Sequence, residues 1–502
     1  MKTLWFLALI SAVHAGNNVL LIIADDLGTD SQSLYNTTAG ATAPTPHINA
    51  LATSGVRFTN AYSSPVCSAA RACMITGRHG FRTGVGEIVS VASGNSLTAS
   101  ELTLPEIITQ NNGLGIQSAS FGKWHLNLGG PVVTANGPNT IGGWPHYAGC
   151  TAGALASYTS WSKTINGTTS TVTTYATTDV VNDAVTWINA RTAENQKWVA
   201  WVAFNAPHTP FHVPPTSLHS YGANPATNLL KYRAAVEAMD TEIGRLLLSV
   251  NAATTDIIFI GDNGTPGQVI QAPYDAAHAK DTLYEGGIRV PLIIKGPDVV
   301  AGGRTNDSLV QAVDLFSTIL ELAGVPLPSN ITLDSKSLKP ILSNLTATRT
   351  RLYTDQFDQN TATTGGRVLR DDRYKLIRLN TGTDEFYDLL ADPAETTDLL
   401  SGGIAAMSAT RQAFYYRLRF NLGAYSTTST PAPLDHTVNA SGFSLTVPQD
   451  TAATQSMWQS ADLDFWSPVS SATSITSGGN ITFTTPPPLP EKCFYSALSE
   501  TP

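Results

Sequence analysis

Cys67 opens the run CSAAR, and Arg71 follows it at the spacing of one helical turn. The surrounding stretch, SSPVCSAARACMITGR at 63–78, sets the cysteine in a Pro- and Ser-rich turn that leads into an Ala-rich apolar run. That order predicts a loop entering a helix near Cys67. A helix N-terminus presents unpaired N–H groups and the positive end of the macrodipole, which favours an anion there. Arg71 would point toward the same spot. A lone cysteine in a small-residue helix would otherwise read as a buried thiol.

Four strand-like runs surround this candidate nucleophile: NVLLIIA (18–24), SASF (118–121), KWVAWVAF (197–204) and DIIFI (256–260). In open α/β sheets, ligands bind beyond the carboxyl ends of the strands. There the chain places Asp25 and Asp26 after the first run, Lys123 and His125 after the second, His208 after the third, and Asp262 and Asn263 after the fourth. Each has a structural reading on its own. Asp-Asp and Asp-Asn-Gly are common turns, a histidine among prolines is an ordinary loop residue, and Lys123 could be a solvated charge. Their convergence on one edge, with Cys67 and Arg71, favours chemistry. Carboxylate and amide oxygens from two loops suit Ca²⁺ or, less well, Mg²⁺, and the sequence shows no soft-ligand cluster for zinc. Arg71, Lys123 and Lys280, the last in AHAKDTLYEGGIRVP, would neutralise a small tetrahedral oxyanion.

These segments resemble, in order, the formylglycine-dependent sulfatase family, which is arylsulfatase-like and belongs to the alkaline-phosphatase-like superfamily. The family signature Cys-x-Pro-x-Arg, then two variable residues, two apolar residues and Thr-Gly-Arg, is matched by Cys67, Arg71, Met74, Ile75, Thr76, Gly77 and Arg78, with Ala69 in place of the proline. GIQSASFGKWH (115–125) resembles the second signature, and KDTLYEGGIRVP the lysine-bearing loop. The resemblance implies that Cys67 is oxidised to formylglycine (3-oxoalanine) by a formylglycine-generating enzyme. It implies one Ca²⁺ held by Asp25, Asp26, Asp262, Asn263 and modified residue 67. Lys123, His208 and Lys280 would contact sulfate, Arg71 would hold residue 67, and Arg78 and His125 would support the departing hydroxyl. The family's pocket serine has no evident counterpart between Gly149 and Ser157. The activity implied is hydrolysis of an aryl or carbohydrate sulfate ester. The alternatives are a phosphonate monoesterase or phosphodiesterase of the same superfamily, or a non-catalytic secreted glycoprotein in which Cys67 stays unmodified.

The bulk numbers bound these readings. At 502 residues the chain exceeds one core, and charged residues are only 13% of it, against roughly 25% in average proteins. A formal charge of −9 argues against nucleic acid and anionic membranes as partners, so an anionic substrate must be met by a local basic cluster. MKTLWFLALISAVHA reads as a signal peptide, too short to span a bilayer, and predicts a secreted or extracellular protein, a lysosome-like compartment being the variant. Sequons at Asn36, Asn166, Asn306, Asn330, Asn344, Asn439 and Asn480 fit that route, while Asn263 sits in the candidate site. With Cys67 converted and Cys73 a buried thiol, Cys150 and Cys493 could form a bridge.

The fold class expected is α/β: a large doubly wound mixed sheet flanked by helices, with a smaller C-terminal α+β domain of antiparallel sheet plus helix. The expected division is a signal peptide at 1–15, a catalytic domain at 16–345, the smaller domain at 346–424 and a Ser/Thr/Pro-rich tail at 425–502 wrapping the surface. Helices are predicted over 229–248, burying Tyr232, Val236, Met239, Ile243 and Leu247, and over 314–324, capped by Asp314 and stopped by Gly324. The loops at 127–180 and 211–228 are expected to shape the substrate choice. Trp144, His146, Tyr147, Tyr158 and Trp161 could stack there on a sugar or aryl ring or, equally, pack as the core of the loops.

Overall fold

The computed structural model describes residues 16–423, apart from 39, 41, 91, 128–135 and 346–348, together with Tyr425 and the strands of the final segment. The expected signal peptide lies outside the described residues.

Runs of apolar residues with no polar face make strands that are covered on both sides. β1 (Asn18–Ala24) shows this directly. Val19, Leu21 and Ile23 enter one core, and Leu20, Ile22 and Ala24 the other. The chain then adds β2 (Val56–Phe58), β3 (Ala61–Tyr62), β4 (Ile116–Lys123), β5 (His146–Cys150), β6 (Trp161–Ile165) and β7 (Thr168–Val172). β8 (Lys197–Ala203), β9 (Thr255–Gly261), β10 (Leu292–Lys295), β11 (Arg304–Asn306) and β12 (Val310–Gln311) follow. Ten of these form one sheet in the order β11-β2-β10-β9-β1-β8-β4-β5-β6-β7. The centre, from β9 through β1, β8 and β4 to β5, is parallel, β10 and β6 run antiparallel to it, and β7 pairs antiparallel with β6. The doubly wound mixed sheet is as expected.

Helices cover both faces. Cys67–Thr76 and Leu315–Leu322 contribute to one core, and Ala176–Ala193 and Asn228–Leu247 to the other. The last of these buries Tyr232, Val236, Met239 and Ile243, but Leu246 takes the place expected for Leu247, which is only partly buried. Asp314 does not cap in the simple way expected. The helix does begin after Asp314, but a 3-10 turn, Ala312–Asp314, precedes it, and the Asp314 carboxylate accepts from Gln311 N at 2.9 Å and Lys336 N at 2.8 Å. Gly324, at φ 75°, does end that helix.

A second sheet follows: β13 (Leu352–Asp358), β14 (Thr361–Arg370), β15 (Tyr374–Leu379) and β16 (Asp384–Asp388), antiparallel in chain order. One face packs Leu369, Leu376 and Phe386 on the helix Ala409–Leu422. The other packs Leu352, Val368 and Ile377 against Tyr62 of β3 and Leu283 and Ile288 of the segment before β10. The final segment was expected as a Ser/Thr/Pro-rich tail of extended segments. Its strands form a four-stranded and a three-stranded antiparallel sheet, in keeping with the β-favouring alternation of runs such as GFSLTVP and NITFTT.

Candidate active site

Strand register brings the acidic residues together. The pairing Ala24↔Gly261 leaves β1 and β9 level, so Asp25 and Asp26 emerge beside Asp262 and Asn263. The backbone then locks the two loops: Asp26 N donates to Asp262 Oδ1 at 3.0 Å and Asp262 N to Ala24 O at 3.0 Å. Gly264 is required here, since a Cβ would lie 1.8 Å from Gly286 O. On the other side of β1, Gly122 pairs with Ala203, and a Cβ on Gly122 would lie 1.9 Å from Ala203 O. This close approach delivers Lys123, the last residue of β4, to the same edge.

The helix Cys67–Thr76 points its N-terminus into this group, with Cys67 as its first residue. Arg71, wholly buried, reaches Asp262 Oδ2 at 2.8 Å, Asp25 Oδ1 at 3.8 Å and Lys123 O at 3.1 Å. Lys123 Nζ donates to Asp25 Oδ2 at 2.6 Å. Lys280 Nζ stands 2.7 Å from Asp26 Oδ1 and 3.8 Å from Cys67 Sγ. His208 Nε2 is 3.7 Å from Asp26 Oδ2, and its Nδ1 is 2.8 Å from Thr209 O. A carbonyl can only accept, so Nδ1 carries the hydrogen and Nε2 is the atom free to exchange a proton. The structure thus brings Asp25, Asp26, Cys67, Arg71, Lys123, His208, Asp262, Asn263 and Lys280 to one place.

Electrostatics follow from the burial. Burial raises the Asp25 carboxyl, but Lys123, His208, Arg71 and Lys280 together pull it well below the usual carboxylate range. Asp262 moves the other way, to about 7, through burial and then the Asp25 charge, against Arg71 and Lys123. Burial pushes the Cys67 thiol up to about 11 despite Lys123 and Lys280. Burial, then Lys123 and Arg71, hold His125 well below its ordinary value.

Two buried acceptors, Asp25 Oδ1 and Asn263 Oδ1, have no hydrogen-bond partner. Each orphan costs roughly 1–3 kcal/mol unless something satisfies it. Hard oxygens without donors, from both loops, fit a divalent cation of the Ca²⁺ or Mg²⁺ type. The structure does correct the expectation that no soft ligands gather. Asp26, Cys67 and His208 form one possible ligand group and Asp25, Cys67 and Asp262 another, each within 4.8 Å. A thiol held protonated is a poor zinc ligand, however.

Residues 17–325 match the family model described as Sulfatase, well over half the chain, and 276–415 match that of the C-terminal region of N-sulphoglucosamine sulphohydrolase. The chain belongs to the sulfatase family. It is 27% identical to arylsulfatase G of Rattus norvegicus over 415 residues, 73% of this chain and 76% of that one. It is 27% identical to N-acetylgalactosamine-6-sulfatase of Sus scrofa over 359 residues, 65% of this chain and 66% of that one. The crystal structure of Ps i-CgsB in complex with k-i-k-neocarrahexaose superposes at a TM-score of 0.67, with 23% identity, covering 77% of this chain and 89% of that one. The protein is accordingly an enzyme for sulfate esters, of a family that works with a metal ion in its active site. Among the described residues no helix is long and apolar enough to cross a membrane.

Several expected residues of this sulfatase lie elsewhere. Arg78 sits past the far end of the Cys67 helix and pairs with Glu101 at 2.6 Å, so it does not join the site. Trp144, Tyr147, Tyr158 and Trp161 are core residues, and His146 is half-buried, so no exposed aromatic platform forms. Tyr158 has a different task, which its sequence context does not signal. It stacks on His212 at 3.8 Å and its hydroxyl donates to Asn205 O at 2.5 Å and His208 O at 2.8 Å, fixing the loop that carries His208. In the stretch after β5, Gly153 lies against the His125 ring and Ser157 hydrogen-bonds with Thr159, so no serine of that stretch reaches the pocket. His125 itself adopts φ 54° and leaves Nδ1 without a partner.

The sequon at Asn36 is a poor glycan acceptor in this fold. Asn36 is buried and its Nδ2, the atom a glycan would occupy, donates to Asp30 O at 2.6 Å and Ala272 O at 2.9 Å. Asn166, Asn330 and Asn344 are exposed and Asn306 is partly so. The side chains of Asn439 and Asn480 lie outside the described residues. Cys150 is a free buried thiol, and its suggested partner Cys493 also lies outside them.

Proposed function

We propose that this sulfatase is secreted, glycosylated at its exposed sequons, and cleaves an aryl or carbohydrate sulfate monoester through formylglycine at residue 67. Asp25, Asp26, Asp262 and Asn263, with residue 67, would hold one Ca²⁺. The observation that carries the reading is the position of Cys67, whose Sγ lies within 4.8 Å of ligand atoms from Asp25, Asp26, His208 and Asp262. A cysteine whose thiol is pushed up to about 11 is a weak nucleophile at neutral pH. The aldehyde hydrate made from it carries two hydroxyls on one carbon.

One of those hydroxyls attacks sulfur as its proton passes toward Asp262. The bond from sulfur to the alcohol oxygen breaks, and that oxygen takes a proton from His208 Nε2 or Lys280 Nζ. The second hydroxyl then gives its proton to His125, the carbonyl re-forms, and the bond from residue 67 to the sulfate oxygen breaks. Sulfate departs and water adds back to the aldehyde. Arg71 and Lys123 stay cationic beside Asp25 and Asp262 and hold residue 67 in place. A bound cation would add electrostatic stabilisation of the negative charge that develops. Three cationic side chains, Arg71, Lys123 and Lys280, balance three carboxylates, so a divalent ion leaves the floor positive and suited to a sulfate ester.

The test is a peptide mass spectrum across residue 67, on protein secreted from a eukaryotic host, with hydrolysis of 4-methylumbelliferyl sulfate measured on the same sample. An aldehyde or hydrate that tracks activity supports the reading. A thiol from a host that converts other sulfatases, in active protein, refutes it and directs attention to Ala69.

A further inference from the structure

Asp25, Lys123 and Asp262 are buried, while Asp26, His208 and Lys280 border a cleft in which the alcohol part of a bound ester would lie. The cleft, of about 400 Å³, is lined by those three residues at the reacting end and by Ile88, Pro266 and Asp281 among others further out. Apart from the groups that face the reacting sulfate, the charged residue of that lining is Asp281. It is exposed, at φ 72°, and its N–H is anchored on Pro65 O at 3.0 Å. A second carboxylate stands with it. Gln356 Nε2, from β13 of the smaller sheet, donates to Asp281 Oδ1 at 2.8 Å and to Glu87 Oε2 at 3.0 Å. One amide therefore bridges two like charges, with Asp281 on the cleft wall and Glu87 behind it. Burial raises both carboxyls, and Asp281 raises that of Glu87 further.

Resting on the sulfatase reading, we infer that Asp281, backed by Glu87 and oriented by Gln356, selects the alcohol part of the substrate by charge. The cations of the floor attract the sulfate, while the acids of the mouth disfavour a second anionic group and favour an ammonium on the leaving alcohol. Lys280, next to Asp281, is committed to Asp26 at 2.7 Å and cannot fully offset the rim. The preferred substrate class is a monosulfate ester of a neutral or amine-bearing alcohol, and not a polysulfated one.

The experiment uses converted, secreted enzyme and three phenyl sulfates with an aminomethyl, a carboxamide or a carboxymethyl group at the same ring position. The readout is the ratio of kcat/KM for the ammonium member to that for the carboxylate member. Comparing this ratio between wild type and Asp281→Asn cancels the intrinsic reactivity of the esters. Asparagine tolerates the positive φ. The expected ratio is about tenfold higher in wild type than in Asp281→Asn, as a unit charge a few ångströms away in a partly solvated cleft implies. Glu87→Gln should lower it in the same direction and by less than Asp281→Asn. An unchanged ratio in both variants overturns the inference, and so does a proportional loss on all three esters, since Asp281 would then only be holding the loop. If converted wild-type enzyme cleaves none of the three but hydrolyses sulfated sugars, the reading of a mouth that accepts these alcohols falls, and this inference with it.

Discussion

The proposed mechanism needs two oxygens on one carbon of residue 67, and that requirement would separate it from every ordinary nucleophile. A serine there could attack sulfur but would remain esterified. Cys67→Ser is therefore expected to lose turnover by at least about a thousandfold and to accumulate a sulfated serine peptide, visible by mass spectrometry after incubation with substrate. Arg71 has the opposite character, with its guanidinium clamped between Asp25 and Asp262 at zero exposure. Arg71→Met should cost about 3–5 kcal/mol in chemical denaturation, because two buried carboxylates lose their partner. The sequence made both residues readable, since a strand end or a helix start aims a side chain by local geometry alone. Arg78 is turned toward Glu101 because the helix ends at Thr76 and Gly77, at φ 69°, redirects the chain, and the choice between platform and core for Trp144 and Tyr147 stayed open because exposure depends on partners far along the chain.

Four strand ends converge because their registers agree, and the loops beyond them are held by bonds that spacing cannot reveal. Tyr158 is the clearest case, anchoring Asn205 O and His208 O from a segment nearly fifty residues away. Tyr158→Phe should lower kcat/KM about tenfold through a misplaced His208, at a stability cost of only about 1 kcal/mol. A steady-state assay paired with a denaturation curve separates the two effects. The two acidic loops make a second claim at this scale. Chelation should abolish activity and lower stability by about 3 kcal/mol relative to enzyme with Ca²⁺ at a hundredfold excess over its Kd, and Ca²⁺ should restore both better than Mg²⁺. The central strands were legible because their apolar runs admit few alternatives. The start of the helix at Leu315 was legible too, but the 3-10 turn before it, which Gln311 and Asp314 cap reciprocally, was not, since a rule keyed to one acidic residue sees only the last cap.

At the scale of the whole molecule, the two sheets meet around a histidine with no part in catalysis. His79 follows the Cys67 helix and packs among Phe81, Tyr353 and Tyr425, so it joins the large sheet's loops to β13 of the smaller sheet. Burial lowers its pKa from 6.5 to about 4, against the raising effect of Asp334. Above pH 6.5 the ring is neutral in both the folded and unfolded chain, and its packing counts in full. As pH falls below 6.5 the unfolded chain takes up a proton that the folded one refuses until about pH 4, so stability drains across that window. The drop attributable to His79 is about 3 kcal/mol. Other buried groups titrate in the same range, and Asp355, raised to about 6 mainly by burial, acts in the opposite sense. Wild type must therefore be compared with His79→Phe by urea denaturation at a series of pH values. The variant should lose about 3 kcal/mol less than wild type between pH 6.5 and 4, with equal slopes above pH 7. Parallel curves throughout would mean that His79 is protonated in place and that the junction tolerates acid. That distinction bears on which compartment the enzyme can serve, since an acidic one would place the junction inside its own titration window.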